Sequence, residues 1–171
     1  CLFAARSMKL PYRPEIDGLR AIAVMSIILF HAGFKTFEGG YVGVDVFFVI
    51  SGFLITSLLL EEHRNKHFSF LNFYERRARR ILPALFLVLL VSAALAYRLL
   101  SPWDLSDFAK SLLGANLFVA NIAAYQQSGY FDASSAIKPL LHIWSLSIEE
   151  QYYFILPVLL MVLLQWGPRA L

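Results

Sequence analysis

One cysteine in 171 residues, Cys1, excludes an internal disulfide and any cysteine-built metal cluster. It could head a lipoprotein, but no signal segment precedes it. Charge is scarce too. Charged types make up 16% of the chain, against ~25% in an average soluble domain. Neither glycine-rich phosphate loop occurs, G-x-x-x-x-G-K-[ST] or G-x-G-x-x-G, nor H-E-x-x-H or a G-x-S-x-G elbow. Their absence removes the simplest nucleotide-binding, zinc-protease and serine-hydrolase readings. His63 and His67 are four apart but have no acidic or cysteine partner nearby, so no metal site is expected. No internal repeat is visible, which speaks against a repeat-built transporter.

Apolar residues are abundant. Hydrophobic types reach 58%, with 15 Phe and 8 Tyr, and mean hydropathy is +0.61. Disorder and an ordinary soluble globule are both excluded. A bilayer core takes about 20 mostly apolar residues per helix, and candidate spans read at about 19–34, 41–60, 81–100, 108–125 and 146–166. The fourth is the weakest, since it carries Lys110, Asn116 and Asn121; its alternative is a helix lying against the bundle or the membrane surface. The fold expected is therefore all-α, a polytopic transmembrane bundle. Residues 1–11 read as a tail that need not belong to it. The start at Cys1 and the stop just after an apolar run suggest a piece of a longer protein.

Basic residues set the orientation. Arg6, Lys9, Arg13 and Arg20 precede or open the first span, and Lys35 alone occupies 35–40. The 61–80 stretch holds Arg64, Lys66, Arg76, Arg77, Arg79 and Arg80. The N-terminus and the 61–80 stretch are expected inside, and 35–40 outside. With a fourth span the 127–140 loop is inside and the C-terminus outside; without it both invert. The basic stretch could touch nucleic acid, but a membrane anchor explains it more simply, and no nucleic-acid partner is expected.

Ionisable groups in hydrocarbon are expensive and default to functional candidates. Arg20 and His31 lie eleven residues apart, about 16 Å and about 20° from one face on a helix. They could line a path for an anionic, acyl-bearing molecule; alternatively Arg20 snorkels and His31 bonds a backbone carbonyl. Asp45, across a short outer loop, is expected at the depth of His31, where a carboxylate would fix the imidazole tautomer. Its alternative is a helix N-terminal acid favoured by the macrodipole. Arg76, Arg77, Arg79 and Arg80 contain two R-x-x-R pairs, 76/79 and 77/80, suited to phosphate, or they are plain topological anchors. In 142–153, Ser145 and Glu149 share a face with His142, and Ser147 shares another with Glu150. Glu149 and Glu150 could accept protons, orient a hydroxyl or pair with arginines, or simply suit the dipole at an interfacial helix start.

Several long runs occur together and in order: YRPEIDGLRAIAV at 12–24, Phe30-His31, GYVGVDVFFVISGFLI at 40–55, FYERRARRILP at 73–83 and WSLSIEEQYY at 144–153. The chain thereby resembles the acyltransferase-3 family of bacterial integral membrane acyltransferases over most of its length from Tyr12. The resemblance implies a bundle of about ten helices, of which residues 12–171 would supply about five as its N-terminal half. It implies transfer of an acyl group, usually acetyl, from cytoplasmic acyl-CoA to a hydroxyl of an extracytoplasmic glycan. O-antigen, peptidoglycan and other surface polysaccharides are the acceptor class. The family's arginine-x10-histidine motif maps onto Arg20 and His31. Its R-x-x-R motif maps onto Arg76–Arg80 in two possible registers, and its serine/glutamate motif maps most simply onto Ser147 and Glu150. The opening run is similar to the subgroup often fused to an extracytoplasmic SGNH hydrolase-like domain.

The expected roles follow. Arg20 and Arg76, Arg77, Arg79 and Arg80 hold CoA phosphates. His31 deprotonates the acceptor hydroxyl or carries the acyl group, and Asp45, Glu149 and Glu150 assist. The expected location is the bacterial cytoplasmic membrane. The rival readings are a transporter or channel, and a structural envelope subunit without chemistry.

Overall fold

The computed structural model describes residues 13–126 and 138–166. The expected tail and most of the expected 127–140 loop lie outside the described residues. Among these, all regular structure is helical: α1 Pro14–His31, two 3-10 turns at Lys35–Phe37 and Gly40–Val42, α2 Gly43–Arg64, α3 Phe70–Leu99, α4 Pro102–Asn116, α5 Ala120–Gln126 and α6 Ile143–Trp166. The chain forms two compact units, divided between residues 68 and 69.

In the first unit, α1 starts on Pro14 with Glu15 and Asp17 in its first turn, a favourable arrangement for helix initiation and for the macrodipole. A backbone N–H, and after it the Arg13 guanidinium at 2.6 Å, hold the exposed Glu15 carboxyl below its ordinary range. The helix ends in a Schellman motif. Gly33 sits at φ 79°, with Phe34 N–H on Leu29 O and Gly33 N–H on Phe30 O. The chain then folds back along α1 before α2 begins, because two glycines permit a close approach. A Cβ at Gly43 would lie 2.6 Å from Ala23 O and 2.8 Å from Ile27 Cγ1, and one at Gly40 would run into Ser26 O and Phe30. Farther along, Phe47 lies against Arg20 and Phe53 against Arg13. α1 and α2 are thus an antiparallel pair in fixed register.

In the second unit α3 begins at Phe70, eleven residues before the expected span. Ser69 caps it, its hydroxyl accepting from Asn72 N–H. The arginine cluster is therefore helical, in the second and third turns, and not in a loop. Thirty residues make about 45 Å of helix, longer than the ~30 Å hydrocarbon core, so the first turns have length to spare outside it.

The stretch expected as one span over 108–125 is two helices. α4 opens six residues earlier at a serine N-cap: Ser101 Oγ accepts from Asp104 N–H at 3.3 Å and donates to Asp104 Oδ2 at 2.7 Å, with Pro102 in the first turn. It closes at Asn116 in a second Schellman motif, with Val119 N–H on Gly114 O, Phe118 N–H on Ala115 O and Phe118 at φ 54°. Lys110 lies on the α4 surface, paired with Asp107 at 2.7 Å. α5 folds back onto α4 where Gly114 meets Ala120 and Ala123.

Leu85, Leu89 and Ala96 of α3, Phe108 and Ala115 of α4, Ala120 of α5, and Leu140 and Ile143 form the core of this unit. Near the start of α3, Tyr74 instead stacks on the later α6 residue Phe154, and Arg77 lies against Tyr153. α3 and α6 are therefore antiparallel, and the end of α6 lies on the side where α3 starts.

Among the described residues, three helices are long and apolar enough to cross a membrane: Gly40–Arg64, Phe70–Leu99 and Ile143–Leu164. α1, with 18 residues and three charged side chains in its first two turns, falls outside that set.

Candidate functional site

Two groups of the expected residues acquire geometry. The first is on α1. The helix is unbroken from Pro14 to His31, so Arg20 and His31 keep their separation of about 16 Å and their common face. Arg20 is half-buried, its guanidinium 5.9 Å from the Phe47 ring centroid, within cation–π range. His31 is exposed, edge-on to Phe30 at 5.1 Å. Its Nδ1 lies 2.9 Å from Ile27 O. A carbonyl only accepts, so Nδ1 carries the proton and Nε2 keeps the lone pair. The plainer expectation for His31, a backbone bond, is what occurs, and it leaves the outward nitrogen basic.

Asp45 is not where the sequence placed it. Gly43 packs on Ala23 and Phe47 on Arg20, so Asp45, between them, is level with about residues 21–22. That is ~14 Å down the axis from His31. Asp45 is exposed and makes no hydrogen bond or ion pair with His31. The expectation assumed that α2 starts opposite the end of α1. Instead residues 32–42 descend alongside α1, and the glycines carry α2's first turn down to Ala23. The tautomer is fixed by Ile27 in place of Asp45.

The second group joins α3 to α6. The four arginines divide. Arg76, Arg79 and Arg80 are exposed, whereas Arg77 is half-buried. Arg79 pairs with Glu75 at 2.6 Å across one helical turn. The Arg77 guanidinium lies 4.6 Å from the Tyr153 ring centroid and 5.9 Å from that of Phe73. The Tyr153 hydroxyl donates to Glu149. Glu150 is 7% exposed and its Oε1 has no hydrogen-bond partner. The acids at the head of the apolar α6 thus face the arginine end of α3. Beside them Tyr74 stacks on Phe154 and donates to its carbonyl at 3.1 Å.

The serines have local work. Ser147 is fully buried and accepts from Ala120 N–H at 3.2 Å, capping α5. Ser145 Oγ donates to His142 O at 3.2 Å. Two residues of this region went unnoticed in the sequence. Tyr153 stands four residues after Glu149, a spacing that puts both on one helix face, and that signal was available. Gln151 holds the α4–α5 break: its amide donates to Phe118 O at 2.8 Å and to Asn121 Oδ1 at 3.0 Å. Nothing in the sequence marks it. Among the described residues no group of three or more His, Cys, Asp or Glu could hold a metal.

The family profile described as an acyltransferase domain matches residues 13–171. The chain belongs to the acyltransferase-3 family. Two curated relatives are the peptidoglycan O-acetyltransferase OatA of Listeria monocytogenes, 38% identical over 164 residues, and the O-acetyltransferase OatA of Staphylococcus aureus, 42% identical over 161. The matches take in 94% and 92% of this chain but 26% of each relative, so the chain spans about a quarter of their length. No solved structure matches. Membership in the acyltransferase-3 family agrees with an all-α chain carrying long apolar helices.

Proposed function

We propose that this chain is the N-terminal part of a membrane O-acetyltransferase that moves an acetyl group from cytoplasmic acetyl-CoA to a hydroxyl of an extracytoplasmic glycan. Peptidoglycan is the acceptor to test first, because one relative is named for it. The reading places the chain in the bacterial cytoplasmic membrane, and the distribution of Lys and Arg supports an N-terminus that faces the cytosol.

The observation that carries this reading is the α1 stripe, with a guanidinium low on the helix and an imidazole with a free Nε2 lone pair about 16 Å farther on. An extended pantetheine arm, a dozen or so bonds, reaches about 15–20 Å. Arg20 holds a donor phosphate, and the thioester arrives near His31. Nε2 takes the acceptor's hydroxyl proton, the oxygen attacks the acyl carbon, the C–S bond breaks, and the proton passes to the CoA thiolate. The alternative in which Nε2 first holds the acyl group uses the same lone pair.

Full-length protein in membrane vesicles, given acetyl-CoA labelled in the acetyl group and glycan fragments, tests the reading. His31→Ala should abolish transfer, with the protein present at parental levels. Transfer at the parental rate by that variant would overturn it.

A further inference from the structure

The two R-x-x-R registers are equivalent in sequence but not in space. On α3, Arg76 and Arg80 are about 40° apart, with Arg79 about 60° to the other side. These three guanidiniums share one exposed arc. Arg77 stands about 60° beyond Arg80 and turns toward α6. There it is half-buried, with its guanidinium against the face of Tyr153. The ring hydroxyl is bonded to Glu149, which draws electron density onto the phenol and strengthens its hold on a cation. Next to it lies Glu150, buried with an unpartnered oxygen. A buried carboxylate needs a countercharge, and Arg77 is the arginine placed to supply one. A phosphate brought to Arg77 would instead meet two carboxylates of its own sign.

We propose that Arg77 is a positioning residue that closes α3 onto α6 as the charge partner of buried Glu150, and that the donor's phosphates are met by Arg76, Arg79 and Arg80. The second half rests on the acetyl-CoA reading above; the first does not.

The test uses full-length protein and two readouts, thermal midpoint in detergent and KM for acetyl-CoA. R77L should lower the midpoint by several degrees, because it strands Glu150. E150Q added to R77L should recover at least half of that loss, since the double variant holds no stranded charge. Its KM should stay within twofold of the parent. The R76Q/R79Q/R80Q variant should raise KM tenfold or more with the midpoint little changed. Additive losses in the double variant would overturn the pairing. A tenfold higher KM that persists in it would make Arg77 a phosphate ligand and overturn the division of roles. An unchanged KM in the triple variant would overturn the phosphate assignment and the acetyl-CoA reading with it, while the pairing would still stand or fall on the midpoints.

Discussion

The left-handed residues Gly33, Lys66 and Phe118 close three helices in the same way. Each is followed by a residue whose N–H reaches back to form the longer bond of a Schellman motif. Only Gly33 is legible as such in the sequence, because only glycine enters that region without a Cβ clash. Lysine and phenylalanine are there because tertiary context holds them, at about 1–2 kcal/mol apiece. The two should answer oppositely to glycine. Lys66 is exposed, so Lys66→Gly removes the clash and loses little packing; a rise in stability of about 0.5–1 kcal/mol is expected, read as a higher thermal midpoint. Phe118 packs against the core of the second unit. There Phe118→Gly forfeits burial of about 2–4 kcal/mol, which outweighs the relief, and the midpoint should fall.

Elements show where reading by periodicity succeeds and where it stops. Long apolar runs announce α2, α3 and α6, because burial in lipid requires nothing beyond length and composition. The α4–α5 break is invisible by the same logic. No proline or glycine stands at 117–119. The bend is held from α6 by Ser147 on Ala120 N–H and Gln151 on Phe118 O, residues about thirty positions away. Removing that hold should be costly. Gln151→Leu leaves the Phe118 carbonyl and the Asn121 amide without the bonds they now make, and unmade bonds at part-buried groups cost about 1–3 kcal/mol. A lower midpoint and faster proteolysis within 116–121 should report it. The α1–α2 pair is the converse case. Glycines 40 and 43 were visible in the sequence, but not how far they let the chain descend, which is why Asp45 was expected beside His31. Gly43→Val would drive a branched side chain into Ala23 O and Ile27. Overpacking of that kind costs about 1–3 kcal/mol, so the variant should accumulate poorly in membranes.

For the molecule in its bilayer, two independent arguments constrain which ends share a side. By the distribution of Lys and Arg, residues before α1 and those between α2 and α3 are expected on the same, cytosolic side. Packing makes α1 and α2 antiparallel, and α3 and α6 antiparallel. The first pair returns the chain to the side on which it began, in agreement with the charges. The second pair brings the end of α6 back to the side where α3 starts. With α4 and α5 folded on each other at Gly114, the stretch between α3 and α6 has no single crossing helix among the described residues. This packing favours the arrangement that the sequence offered for a chain without a fourth span. Cysteine labelling in intact cells checks it, with Cys1 changed to serine and single cysteines at Lys35, His67 and Gln165. A membrane-impermeant maleimide should label the cysteine at 35 in intact cells, and those at 67 and 165 only after the membrane is opened. Labelling at 165 from outside would mean that α6 crosses in the direction of α3. The Arg77–Tyr153 contact could not then survive in the membrane, because antiparallel packing is what brings the second turn of α3 to the middle of α6.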